Sequence, residues 1–262
     1  MFKKSGIFFS IIFLFFSSLL LSAPSSQKTT KFEYRIQGED VFFTTEGNIF
    51  LVQPVSIICK DNMLYFAAQD ITAKRDLIVS KTKEVKNIID QEDRKVVKVT
   101  YLLADANNNA IYKDYELVLF LEILKGYPFL AISSKFTYTG NGVNECAINW
   151  ALDSIYEPFK YYTIPGKTKE ETYKLVKTKK TKIGQANWIF ANIGDGTGGG
   201  LIAPAAILGR GEDFIFLNSV PPKKKLRKGE SIDLFMIFLP INKNYKILGE
   251  IFEKIKNRKW EY

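Results

Sequence analysis

Short apolar runs that alternate with polar residues, broken by turn-forming clusters at roughly 8–12-residue spacing, most limit what this chain can fold into. Residues 31–37 put Phe32, Tyr34 and Ile36 on one face. Runs 41–45 and 48–53 are separated by Glu46-Gly47, and runs 56–59 and 63–68 flank Asp61-Asn62. Runs 95–103 and 111–124 bracket the Asp105 to Asn109 turn, and 128–138 ends at Thr139-Gly140-Asn141-Gly142. Run 143–152 sets Asn144, Cys146, Ile148 and Trp150 on one side. A period of two is the pleat of a strand with one buried face, and β-branched and aromatic residues fill these runs as strands favour. The expected fold class is all-β, an antiparallel β-sandwich with one C-terminal helix.

The second half is less regular. Residues 167–182 are rich in lysine and threonine and read as an exposed loop or hairpin. Strand character returns at 187–192, breaks at 194–200 and resumes at 201–208. Runs 213–218 and 231–239 read as a pair joined by the Pro221-Pro222-Lys223-Lys224-Lys225-Leu226-Arg227-Lys228-Gly229-Glu230 connection. Tyr245, Leu248, Ile251, Phe252 and Ile255 recur at three- and four-residue steps, which predicts a helix over 244–258 capped by Asn242 or Asn244.

The N-terminus carries Lys3 and Lys4, an apolar run over 7–21, and then Ser22, Ala23, Ser25 and Ser26. That is the layout of a secretory signal peptide. The run is short for a bilayer span, which needs about 20 residues. Cleavage is expected after Ser25, with an uncleaved anchor as the alternative. The expected organisation is a signal peptide at 1–25, a leader and first strands at 26–44, and a single β-sandwich domain at 45–262. The protein is then secreted or periplasmic, with no membrane span after signal removal and no nucleic-acid partner.

The formal charge is +9 and histidine is absent. A basic exported chain can meet acidic polysaccharide, an anionic membrane surface or cell-wall polymer. Without histidine, Ser-His-Asp catalysis, His-based zinc sites and the usual neutral-pH base are excluded. Cys59 and Cys146 permit one disulfide or two buried free thiols. Neither belongs to a metal or redox motif, and no cofactor or metal is expected.

Gly194 to Gly200 holds five glycines in seven residues. It lacks the Lys-Ser/Thr ending of a phosphate-binding loop and the alternating acids of a calcium loop, so it reads as a turn or a place of close backbone approach. Trp150, Asp153, Tyr156, Glu157, Tyr161 and Tyr162 form the densest aromatic and carboxylate cluster. Aromatic rings stack on sugar faces and carboxylates accept hydroxyl hydrogen bonds. Paired carboxylates also carry glycoside hydrolysis. Trp188, flanked by Asn187 and Asn192, follows the same logic. The basic runs 177–182 and 223–228 are solvated loops or sites for uronate or sulfate groups.

The strand ending Ala147-Ile148-Asn149-Trp150 and followed by Tyr161-Tyr162-Thr163-Ile164-Pro165 begins a pattern that extends further. Trp188-Ile189-Phe190-Ala191-Asn192 leads to Gly199-Gly200-Leu201-Ile202-Ala203, and Leu226 to Ser231 leads to Phe235-Met236-Ile237-Phe238. Over about 45–240 this resembles the β-supersandwich of galactose-mutarotase-like proteins. A similar sandwich occurs in the periplasmic domain of bacterial membrane-protein insertases. The resemblance implies a supersandwich-type fold and carbohydrate binding or modification. Aldose epimerases use histidine with a carboxylate, so mutarotase activity is not expected here.

The leading expectation is an exported, non-catalytic carbohydrate-binding protein, with acidic polysaccharide as one ligand class. Trp150, Tyr161, Tyr162 and Trp188 would stack on sugar, and Asp153 and Glu157 would accept its hydroxyls. The alternatives are a cell-envelope scaffold contacting other envelope components, or a His-independent polysaccharide lyase or glycosidase.

Overall fold

The computed structural model describes residues 31–166, 169–175, 181–204, 207–210, 214–219, 221–258 and 260. The expected signal segment, the polar leader and most of the basic run 177–182 lie outside them. The described chain is an antiparallel β-sandwich with a C-terminal helix, as expected.

Strands follow in chain order as β1 (Glu33–Gln37), β2 (Asp40–Thr45), β3 (Asn48–Val52), β4 (Ile57–Cys59), β5 (Asn62–Asp70), β6 (Arg75–Asp90) and β7 (Arg94–Asp105). After them come β8 (Ile111–Leu124), β9 (Leu130–Tyr138), β10 (Val143–Ser154), β11 (Tyr161–Pro165), β12 (Glu170–Lys174) and β13 (Thr181–Gly184). The last are β14 (Trp188–Asn192), β15 (Thr197–Ile202), β16 (Ile207–Arg210), β17 (Ile215–Asn218), β18 (Lys224–Arg227) and β19 (Ser231–Asn242), followed by helix α1 (Ile247–Ile255). Glu46 and Gly47 both take positive φ, 40° and 78°, between β2 and β3. That handedness matches the twist of the flanking strands, so the turn read from sequence is a tight hairpin.

One layer runs β6-β7-β8-β9-β19-β15-β14-β11-β12. The other runs β1-β2-β3-β4-β5-β10, continuing through β17 to β16 and β13, with β18 also paired to β10. The two join where β5 pairs β6. Side chains interlock between the layers: Phe50 meets Phe238 edge-on at 5.8 Å, and Phe66 lies 6.0 Å from Phe136.

The layers bury different numbers of faces. β5 alternates strictly between buried and half-buried residues, whereas β14 is buried at every position. The reason is α1, whose Leu248, Ile251 and Ile255 cover Trp188, Phe190, Ile202, Ile237 and Leu239 on the outer face of the first layer. The helix is shorter than expected, and neither Asn242 nor Asn244 caps it; Lys246 occupies the cap position without a side-chain bond. Asn242 is held in the ladder opposite Thr197 instead.

Other expectations need correction. Strands β17 and β19, read as a pair, lie in different layers, and β18 sits between them in the chain. Strand β6 runs through to Asp90 although much of it is polar, and three register shifts against β7 break its alternation. The lysine-rich stretch agrees with its reading as an exposed hairpin over its described part: β12 is exposed throughout and pairs antiparallel with β11.

Cys59 and Cys146 are free and buried. Cys59 stands opposite Asn62 and Cys146 opposite Asp70, at the two ends of β5. The rise of a strand puts those ends about 26 Å apart, far beyond a disulfide's reach. Burial pushes both thiols up to about 12, which keeps them protonated.

The glycine-rich segment is a packing device. A Cβ on Gly200 would lie 2.7 Å from Leu248 of the helix, and one on Gly199 would lie 2.9 Å from Leu152 of the opposite layer. Glycine here lets α1 and β10 close on the two faces of β15. Gly200→Ala is expected to destabilise the fold by about 1–3 kcal/mol through overpacking. A lowered urea midpoint with unchanged slope would show it.

Candidate functional site

The sequence-selected residues do not converge. Trp150 is 2% exposed in the sandwich core, edge-on to Phe66 at 5.4 Å, with Nε1 donating to Ser134 Oγ at 3.3 Å. Trp188 is 5% exposed beneath α1. Neither indole offers a face to a ligand, because both stand on inward or helix-covered positions of their strands. Tyr162 is buried and stacks on Tyr173, its cross-strand partner, at 5.1 Å. Asp153 is the penultimate residue of β10 and accepts a bond from the Ser154 amide at 2.7 Å. Glu157 and Tyr161 do reach the surface: Glu157 pairs with Lys160 at 3.5 Å, and Lys160 and Tyr161 flank the Gly194 turn.

A groove of about 570 Å³ opens elsewhere, on the outer face of the first layer beside α1. Its size suits a small ligand or part of a chain. Strand register builds its floor in rows. Phe120 on β8 stands opposite Ser133 on β9, which stands opposite Phe235 on β19. In the next row Lys135 stands opposite Asp233, and both are exposed. Phe252 and Ile255 of α1 and Lys256 at its C-terminal cap form one wall, and Arg258 and Trp260 complete it.

The indole of Trp260 stacks on Phe235 at 4.7 Å, with the Arg258 guanidinium 4.8 Å from the Trp260 ring centre. A buried ion cluster anchors this wall. Glu122 is fully buried on β8 and accepts two bonds from Arg94, at 2.9 and 3.2 Å, and one from Arg258 at 2.9 Å. Two guanidinium groups on one carboxylate leave local positive charge, and Lys135 adds to it, with no ion pair among the described residues. Lys256 is paired with Glu253, and Asp233 accepts from Ser231 Oγ at 3.2 Å. The groove therefore offers half-buried aromatic faces, one exposed acceptor and several cationic donors on rigid strands.

A second polar cluster lies at one end of the sandwich. Asp70 is fully buried and accepts from Tyr112 Oη, Asn144 Nδ2 and the Ala73 amide, each at 2.8 Å. Burial, then the bond to Asp70, pushes the Tyr112 phenol up to about 12. Burial also raises Tyr115 and Tyr138. These tyrosines stay protonated and are unsuited to act as bases. The cluster ties β5, β8 and β10 together.

Sequence reasoning missed Phe120, Lys135, Asp233, Phe235 and Trp260. Outward parity on β8, β9 and β19 marks the first four, and aromatic residues at outward positions are the available signal. Nothing local says that these strands adjoin.

No family model matches the chain, and no curated protein matches it in sequence. Among solved structures, a GH36 alpha-galactosidase from Geobacillus stearothermophilus is similar with a TM-score of 0.51 at 9% identity, covering 85% of this chain and 42% of that one. A variant of it in complex with stachyose gives 0.50 at 10% identity, over 74% of this chain and 32% of that one. A galactose mutarotase related enzyme from Lactobacillus acidophilus aligns at 8% identity over 79% of this chain and 98% of that one, with a TM-score of 0.41. The chain thus spans less than half the length of the galactosidase. At these identities the likeness is one of fold alone.

Proposed function

We propose that this chain is an exported, non-catalytic carbohydrate-binding protein whose ligand lies in the groove beside α1. The observation that carries the reading is the Phe235–Trp260 stack standing next to Lys135 and Asp233 on a rigid sheet. A pyranose ring has apolar C–H faces and a rim of hydroxyls. The aromatic rings would cover the first, while Asp233 accepts from and Lys135 donates to the second. Such a site needs a few placed polar groups in an otherwise apolar concavity.

The carboxylate lining the groove, Asp233, and the buried Glu122 behind its wall support binding over turnover. Glycoside hydrolysis uses two carboxyl groups flanking the bond. Asp233 is exposed at the groove, but Glu122 is committed to Arg94 and Arg258. The chain also has no histidine to act as a base. Export is proposed on the signal-like layout of residues 1–25, and the galactosidase fold likeness supports carbohydrate as the ligand class.

Trp260→Ala and Phe235→Ala are expected to weaken retention on immobilised glycan by about tenfold or more, the scale of a buried aromatic anchor. Far-UV circular dichroism should stay unchanged, since Trp260 lies outside the sandwich core. Wild-type retention by both folded variants would sink the groove reading.

A further inference from the structure

Lys223 precedes β18, Lys224, Lys225 and Arg227 lie on it, and Lys228 lies in the turn that leads to β19; all are exposed, and none forms an ion pair among the described residues. This hairpin is not remote from the groove. The β9–β19 ladder continues into it: the Gly229 amide donates to Tyr138 O at 2.8 Å and the Tyr138 amide to Glu230 O at 3.0 Å. Lys224 Nζ donates to Ser231 O at 2.8 Å, fixing the hairpin to the start of β19.

Between groove and hairpin, the outward positions are Lys135 and Thr137 on β9 and Asp233 and Ser231 on β19. They form a polar strip with hydroxyls along its length. From Phe235 to Gly229 the strip covers about 20 Å by strand rise, enough for an oligosaccharide and too long for a single sugar. The acidic groups beside it are few. Glu116 is paired with Lys83 at 2.9 Å, and the Glu230 carboxylate accepts from the Arg227 amide at 2.8 Å. Glu145 and Lys225 stand opposite each other on the outer face of the other layer, away from the strip.

Resting on the groove reading above, we infer that the ligand is an anionic oligosaccharide, bearing carboxylate or sulfate groups. One end sits on Phe235 and Trp260, and its chain follows β9 and β19 to the basic hairpin. Lysines act there as point charges toward acidic substituents spaced along the polymer. Attraction to them is screened by salt, whereas ring stacking is not. The two contacts together make affinity grow with chain length, because the second engages intramolecularly.

The test uses the triple variant Lys223→Ser/Lys224→Ser/Lys228→Ser and the single variant Trp260→Ala. Calorimetric titration is run with a galacturonate disaccharide, a galacturonate octasaccharide, a sulfated octasaccharide and a neutral galactan octasaccharide. The expected result is at least about tenfold tighter binding of an acidic octasaccharide than of the disaccharide. That gain should vanish in the triple variant, with disaccharide affinity unchanged, while Trp260→Ala weakens both lengths. The galacturonate and sulfated arms decide which acid group is read. An undiminished length gain in the triple variant overturns the path to the hairpin. Equal affinity for the neutral octasaccharide overturns the anionic ligand, and both results leave the groove reading standing. No effect of Trp260→Ala on any probe removes the groove reading and this inference with it. Capture of anionic lipid vesicles through the hairpin, without a length gain on sugar, would assign the lysines to a membrane surface instead.

Discussion

Trp150→Ala is expected to cost about 3–5 kcal/mol of folding stability, the usual range for deleting a buried indole, while leaving glycan retention by the folded fraction unchanged. Trp150 is held by contacts from both layers: Phe66 beside it on β5, and the Ser134 hydroxyl across the core on β9. That hydroxyl itself donates to Leu234 O at 3.0 Å, so the indole closes a chain of bonds linking β10, β9 and β19. Truncation opens a cavity that rigid strands cannot collapse, and it removes a partner from Ser134. Against a total stability of about 5–15 kcal/mol this is a large fraction, and a fall in Tm of roughly 10 °C is the corresponding readout for a chain of this size. Trp150→Phe keeps most of the volume and should lie well between. A variant melting with the wild type, or one that stays folded and loses sugar, would place the indole in a binding role after all.

Glu122→Ala is the second large effect. The side chain is fully buried, and removing it leaves Arg94 and Arg258 facing each other without their shared carboxylate. Breaking a buried ion cluster from one side costs about 3–5 kcal/mol, because the remaining charge is left uncompensated. Arg94 and Arg258 keep 25% and 35% of their side chains in solvent, so the lower end of that range is expected. The substitution also frees the wall of the groove: Arg258 is the link between β8 and the Trp260 indole. Loss of stability should therefore come with a shift of tryptophan fluorescence and weaker glycan retention. Arg258→Ala is the informative contrast. It leaves the Arg94–Glu122 pair intact and should lower retention with little loss of stability. A denaturation midpoint for Glu122→Ala equal to the wild type would show that the cluster contributes nothing to the fold.

Much of the fold was legible in the chain. Alternation located β2, β5 and β10 and set Asn144, Cys146, Ile148 and Trp150 on one inward face, all four of which are buried. The Glu46-Gly47 turn and the apolar stripe of α1 were readable in the same way. The second half of β6 was not, because bulges interrupt the period of two and its residues are mostly polar. The bounds of β12 were not, although its exposure was, because a strand that buries no face carries no apolar signature.

The site was legible only in part, and the reason can be seen at two residues. Trp150 drew attention because aromatics and acids crowd around it in sequence, yet its parity with Cys146 and Ile148 already assigned it to the core. Phe235 drew none. It sits in an apolar strand, and its neighbours in the groove come from β8, β9 and a residue past the helix.

By itself the sequence determined the strand and helix character of most segments, the inward faces of the clearest strands, and the exclusion of histidine-based chemistry. These follow from side-chain direction along a pleat or a helix, which is local and has a fixed period. Only the tertiary structure decided that β19 lies between β9 and β15, that the two cysteines stand at opposite ends of β5, and that Trp260 closes over Phe235. Strand neighbours are chosen by cooperative packing among residues far apart in the chain, and no local period encodes that choice.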